Sequence, residues 1–176
     1  MMRTWSFKHQ RRGSSSCEIY RKYLLELDSI ASRSVSRCFQ EDDSMNEPLI
    51  ARTISEMIPR SSALYLGNSM PIRDMEFYCA TSDSDSRCGP VALGSNRGSS
   101  GIDGVTSSAA GFAESLGSPV TLVVGDVSFI HDSNGLNLLS GPHSSKRSPL
   151  TTVVVNNNGG RIFEMLPVAK TIESSV

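Results

Sequence analysis

Two stretches constrain the fold most: "PVTLVVG" (Pro119 to Gly125) and "LTTVVVN" (Leu150 to Asn156). Each is a short run rich in β-branched and aliphatic residues, bounded by turn residues, which reads as a strand and not a helix. Neither alternates polar with apolar residues. Strands of that kind are covered on both faces, as in parallel sheets. "ALYLG" (Ala63 to Gly67) reads as a third, shorter buried strand, and "VALG" (Val91 to Gly94) as a weak fourth. Helical periodicity lies between them. From Asp103 to Leu116, residues Val105, Ala109, Phe112, Ala113 and Leu116 share one side. A short helix is expected over Ser133 to Leu139. Strands alternating with helices predict an α/β fold with a mostly parallel sheet flanked by helices.

Upstream, Ile19, Tyr23 and Leu27 recur every fourth residue, with Leu24 and Ile30 beside them, so Glu18 to about Val35 is expected to be helical. The acidic stretch "CFQEDDSMNEP" then reads as a linker. A second helix is expected from Pro48, which suits a first helical position, with Ser44 or Asn46 as cap. Its apolar face would be Ile50, Ile54, Met57 and Ile58, and Pro59 would end it. The chain is therefore divided into a basic, helical amino-terminal segment with linker (residues 1–45) and an α/β domain (residues 46–176).

Charge is nearly balanced, with a formal net charge of −1, which argues against a general nucleic-acid binder. No apolar run is long enough to span a bilayer, so no membrane association is expected. Cys17, Cys38, Cys79 and Cys88 show no CxxC spacing and no companion histidine cluster, which disfavours a zinc site or a disulfide framework. The first sixteen residues contain Arg3, Lys8, Arg11 and Arg12, several serines and no acid. That is the composition of an organelle transit peptide, or of a frayed basic segment. No apolar core of a secretory signal is present.

The unusual sequences all fall at the carboxyl ends of the expected strands: "GNSMPIRD", "SNRGSSGIDG", "GDVSF" and "NNNGG". Ligands collect there in parallel sheets. Asp126 ends one strong strand and Asn157 ends the next. A carboxylate, an amide oxygen and a backbone carbonyl are hard oxygen ligands that suit Mg²⁺, which takes the rest of its shell from water and phosphate. Gly159 and Gly160 let the backbone turn and present a carbonyl. The amides of Val127 and Ser128, ahead of a short helix, could hold a phosphate. Taken alone, Asp126 is as easily a turn acid, and Asn156 to Asn158 a loop. No GxGxxG follows a strand, and neither GxxxxGK[ST] nor GxSxG occurs, so a dinucleotide fold, a P-loop and a serine hydrolase are disfavoured.

The pair "GD…NN" resembles the cofactor signature of thiamine-diphosphate enzymes, with Val127 where many members have Gly. More narrowly, "GNSMPIRD", "SNRGSSGIDG", "GDVSFIHDSNGLNLL" and "VVVNNNGGRIFEMLP", in that order across residues 60–170, resemble the MenD-type synthases, in particular the plant and algal versions of phylloquinone synthesis. The resemblance implies the thiamine-diphosphate-binding fold, with thiamine diphosphate and Mg²⁺ (or Mn²⁺) as cofactors. The implied reaction decarboxylates 2-oxoglutarate and adds the resulting carbanion to isochorismate.

By motif match, Asp126 and Asn157 would ligate the metal through side chains, and Gly159 through its carbonyl. Ser69, Val127 and Ser128 would lie near the diphosphate, and Ile102 would wedge between the cofactor rings. Arg73 and Arg97 would meet substrate carboxylates, since Arg presents a planar fork to carboxylate. Ile162, Phe163 and Leu166 would line an apolar part of the pocket. The structural alternatives are surface ion pairs for the two arginines and plain core packing for Ile102 and Phe163. Met165 stands where the family often has Leu.

The resemblance also implies what is not in these 176 residues. The family assembles its site from two domains, normally of two subunits, and the second supplies a glutamate that activates the cofactor. No stretch here matches that domain, so no catalytic residue is assigned. The diphosphate domain is expected to be incomplete at its carboxyl end, to bind cofactor weakly and not to turn over alone. Two roles remain open: part of a synthase, as a homo-oligomer, or a non-catalytic form that pairs with a full-length subunit. The chloroplast is the expected location, or the cytoplasm for a bacterial source.

Overall fold

The computed structural model describes residues 15–42, 44–80, 89–98, 101–140, 148–167 and 169. Most of the basic stretch of the first sixteen residues (1–14, with His9), Cys88 and His143 lie outside the described residues. Contacts within the chain divide it into two units, Met1–Asp43 and Ser44–Val176.

In the first unit, helix α1 spans Ser15–Glu41. It runs beyond the expected end at Val35, into the stretch read as linker. Nothing in "SRCFQE" breaks a helix, and the Asp42 amide still donates to the Cys38 carbonyl at 3.0 Å.

The second unit begins with α2 (Glu47–Met57). Of the two expected caps, Asn46 serves: its Oδ1 accepts from the Leu49 amide at 2.9 Å, which satisfies one orphan donor of the first turn. Ile58 is already extended, as the residue before a proline tends to be. Ile50, Ile54 and Ile58 pack inward, but Met57 is 75% exposed and leaves the expected face.

Strand β1 (Ala63–Leu66) follows, then α3 (Met70–Tyr78). No helix is expected here from the sequence, in which "NSMPIRD" reads only as a strand-end motif. The core signal of α3 is small: Met75 is buried, with Ile72 and Cys79 packed beside it. Long-range bonds tie its end to α2. Arg52 donates to the Cys79 carbonyl at 3.1 Å, and the Ala80 amide donates to Ser55 Oγ at 2.8 Å.

Strand β2 (Leu93–Ser95), helix α4 (Val105–Leu116), strand β3 (Val120–Gly125), helix α5 (Asp126–His131), a 3-10 segment (Ser133–Leu139), strand β4 (Leu150–Val155) and a 3-10 turn (Arg161–Met165) follow among the described residues of the unit. The segment expected as a helix, Ser133 to Leu139, is 3-10, and a separate helix, α5, precedes it from Asp126. Asp132 closes α5 by accepting from the Ser107 amide at 2.7 Å and from Ser107 Oγ at 3.0 Å, which ties it to the start of α4.

The four strands form one all-parallel sheet in the order β2-β1-β3-β4. The fold is α/β, as expected. Alternation along the strands sends side chains to two cores. Ala63, Tyr65, Val120, Leu122 and Val124 pack on one face against Val105, Ala109 and Ala113 of α4. Leu64, Leu66, Val123 and Val155 pack on the other, against Ala51 of α2 and Met75 of α3.

The expectation of two covered faces holds for the central strands β1 and β3. It fails at β4, where Val154 is 37% exposed. β4 is an edge strand of the described sheet, with β3 as its one neighbour there.

The strand order places a topological switch between β1 and β3. The chain leaves β1 toward one edge and β3 toward the other, which opens a crevice at their carboxyl ends. Close strand packing defines its floor. A Cβ on Gly67 would stand 3.0 Å from the Val123 carbonyl oxygen, to which the Gly67 amide donates at 2.7 Å.

Candidate functional site

A cavity of about 300 Å³ occupies that crevice. Its lining brings together Ser69 and Asn68 after β1, Ile102 before α4, Asp126, Val127 and Ser128 after β3, and Asn157, Ile162 and Phe163 after β4. A neighbouring cavity of about 350 Å³ shares Asn68, Ser69, Ile162 and Phe163 and adds Arg73, Arg97 and Leu166. Of the twelve residues to which the resemblance gives a site role, eleven line one or both cavities. Gly159 lines neither, although its position is close: a Cβ there would lie 3.8 Å from Val127 Cγ2.

Asp126 opens α5, and its Oδ1 accepts from the Val127 amide at 2.8 Å. The Val127 amide is therefore already engaged within the protein. Ser128 is buried, and its hydroxyl donates to the Ile102 carbonyl at 3.1 Å, which holds the Ile102 segment against α5. Ile102 itself is 38% exposed and Phe163 60%, so neither is a core residue.

After β4 the backbone turns through three consecutive left-handed residues: Asn158 (φ +64°), Gly159 (φ +91°) and Gly160 (φ +64°). Two glycines and an asparagine are the residues that tolerate this region at least cost. The Asn158 amide donates to Asn156 Oδ1 at 3.0 Å, an Asx-type turn that supports the bend. "NNNGG" is thus first a backbone requirement. Asn157 is what remains to be explained.

Asn157 Nδ2 donates to Glu47 Oε1 at 2.7 Å. Its Oδ1 is buried and has no hydrogen-bond partner. A buried amide oxygen left unpaired costs about 1–3 kcal/mol, so such an atom calls for a ligand. It shares the cavity with the Asp126 carboxylate. A hard divalent cation fits this donor set, an amide oxygen and a carboxylate oxygen. Among the described residues no group of three or more His, Cys, Asp and Glu side chains gathers, which disfavours a softer site.

The two arginines line the neighbouring cavity. Arg73 donates to the Ser69 carbonyl at 2.6 Å, and Ser69 sits at φ +71°, an uncommon conformation for a residue with a Cβ. Among the described residues neither Arg73 nor Arg97 is in an ion pair; the pairs present join Arg52 to Glu56 and Arg161 to Glu164. His131 lies on the exposed end of α5.

Sequence reading passed over Asn68 and Glu47. Asn68 donates to the Gly101 carbonyl at 2.7 Å, which joins the β1 loop to the loop before α4. Its position inside "GNSMPIRD" was a signal. Glu47 had none, because it meets the site through a residue 110 positions away.

Asp74 is buried behind this site, 3% exposed. Burial pushes its carboxyl up to about 6, helped by the Glu47 carboxylate and opposed by Arg73. A raised folded-state value means that the native chain binds the proton more tightly than the unfolded one. The associated stability is present below about pH 4 and is lost as pH rises through 6. Asp74→Asn removes that slope. At pH 7.5 it is expected to be more stable than the parent by up to about 3 kcal/mol, with the advantage vanishing near pH 4. Denaturant titrations at both pH values check this, and parallel pH profiles for the two proteins would refute it.

No family model matches the chain. Curated relatives do. The chain is 42% identical to "Protein PHYLLO, chloroplastic" of Arabidopsis thaliana over 165 residues, covering 88% of this chain and 10% of that protein. It is 48% identical to the 2-succinyl-5-enolpyruvyl-6-hydroxy-3-cyclohexene-1-carboxylate synthase of Chlorobium limicola over 139 residues, or 79% of this chain and 22% of the synthase. With the enzyme of the same name from Chlorobium phaeobacteroides the identity is 53% over 125 residues, 71% of this chain and 20% of the synthase. The chain spans between a tenth and a quarter of the length of these relatives.

Proposed function

We propose, for a chain that is homologous over most of its length to part of the MenD-type synthases, that it carries the diphosphate- and metal-binding half of such a site. The whole activity proposed is the decarboxylation of 2-oxoglutarate and its joining to isochorismate, in menaquinone or phylloquinone biosynthesis. Thiamine diphosphate, when bound, supplies the electron sink for decarboxylation and carbon–carbon bond formation. The buried, unpartnered Oδ1 of Asn157 beside Asp126 is the observation that carries this reading.

The roles follow from placement and chemistry. Asp126 and Asn157 would hold Mg²⁺, or Mn²⁺, through side-chain oxygens, and Gly159 through its carbonyl. Ser69, Val127 and Ser128 would flank the diphosphate. Ile102, fixed by its hydrogen bond from Ser128, would press between the two rings and keep the cofactor bent. Among the described residues neither Arg73 nor Arg97 is in an ion pair; Arg73 spends one donor on the Ser69 carbonyl, and the remaining donors of both would meet carboxylates, which both substrates possess. Ile162, Phe163 and Leu166 would form an apolar wall that excludes water during decarboxylation.

The activating glutamate and the pyrimidine half of the site would come from sequence outside these 176 residues, in the same chain or a partner subunit. The chloroplast, named for the Arabidopsis relative, is the proposed location. No described helix is long and apolar enough to cross a membrane.

The test is mutual dependence of cofactor and cation. Thiamine diphosphate with Mg²⁺ should raise the thermal midpoint of this chain by several degrees, and EDTA should cancel the effect. A midpoint indifferent to both, over a millimolar range, would sink the reading.

A further inference from the structure

We propose that Glu47 is the positioning residue of the cation site: its carboxylate holds the Asn157 amide by Nδ2 and so commits Oδ1 to the ion. This rests on the metal reading above. The terminal torsion of an asparagine is soft and roughly two-fold, so an unrestrained amide presents oxygen and nitrogen with similar ease. With its NH₂ toward the ion it would place two N–H dipoles against a positive charge and contribute nothing. A carboxylate on the other side removes that choice, because it accepts from NH₂ and repels the amide oxygen.

The geometry meets this requirement. Nδ2 to Oε1 is 2.7 Å, in the range of a charge-assisted bond. Oδ1 is buried and has no other partner. Glu47 is itself fixed, as the first residue of α2, immediately after the Asn46 cap and before Pro48. Glu47 lines the same cavity as Asp126 and Asn157. The arrangement also accounts for the motif's reach: the amide strand end is completed by the start of a helix 110 residues earlier.

The experiment titrates Mn²⁺ by electron paramagnetic resonance of the free ion, in the presence of thiamine diphosphate, on the full 176-residue chain. Wild type and Asp126→Ala come first. If they bind alike, there is no cation site here, and both the metal reading and this proposal fall. If wild type binds more tightly, the Glu47 variants are decisive. Glu47→Ala, which removes the acceptor, should lose about 10–100-fold in affinity, as is typical when the partner that orients a ligand is lost. Glu47→Gln keeps an acceptor and should lose no more than about threefold by the same reasoning.

Equal losses for Glu47→Gln and Glu47→Ala would mean that charge or direct ligation matters, not orientation, and would overturn the proposal. So would wild-type affinity in Glu47→Ala. Should Glu47→Ala not fold by circular dichroism, Glu47→Met takes its place, since it keeps the length of the side chain and removes the acceptor oxygens. A loss of about 10–100-fold in Glu47→Met with Glu47→Gln close to wild type supports positioning, and wild-type affinity in Glu47→Met refutes it.

Discussion

Asp126→Ala is expected to lower the affinity of this chain for Mn²⁺ with thiamine diphosphate by more than about 100-fold, beyond the range seen when a residue that merely orients a ligand is lost. The change removes the carboxylate of the donor set and leaves the fold nearly intact. Asp126 makes one described hydrogen bond within the protein, from the adjacent Val127 amide, and its side chain belongs to neither core. The thermal midpoint without ligands should therefore move by no more than a few degrees, as expected for a change of about 1 kcal/mol. The midpoint shift produced by cofactor and Mg²⁺ should disappear. Retention of that shift in Asp126→Ala would place the cation elsewhere and remove Asp126 from the site.

Leu122→Ala should act in the opposite way. Leu122 is fully buried at the centre of β3, against α4, four residues before Asp126. Truncation removes its transfer free energy and leaves a cavity that the close-packed layers fill only in part, a loss of about 2–5 kcal/mol. Against the total of about 5–15 kcal/mol that holds an ordinary domain together, this is a large fraction. Denaturant unfolding should record it. Ligands should still restore part of the midpoint, because the donor atoms are untouched and binding to the native state pulls folding with it. The two variants thus separate damage to the scaffold from damage to the site. A Leu122→Ala protein as stable as the parent would mean that β3 is not packed as described.

Much of the arrangement was legible beforehand for identifiable reasons. β1, β3 and β4 announced themselves because short runs of aliphatic and β-branched residues bounded by turn residues have few other uses. α4 was legible because its small and apolar residues keep one face. The candidate site residues were legible because a parallel sheet collects ligands at one end, and the odd sequences all sat there.

The failures have reasons as well. α3 hid because only Met75 and its neighbours mark an inward face, while Asp74 is buried against its own preference. α5 hid because a helix that begins on the strand's last turn leaves no loop to signal its start. The exposure of Val154 hid because its sequence is that of a covered strand and only the sheet's edge leaves it bare.

The sequence by itself determined the class of the fold, the register of alternation that sends each strand's side chains to two cores, and the residue types available at the strand ends. These are local properties, set by backbone preference and side-chain periodicity over a few residues. Only the tertiary structure decided which of those residues share a cavity, that Asn157 Oδ1 is left without a partner, and that Glu47 is the group beside it. Those facts depend on contacts across the whole length of the unit. They arise when packing of the two cores brings the start of α2 to the end of β4, which no local pattern encodes.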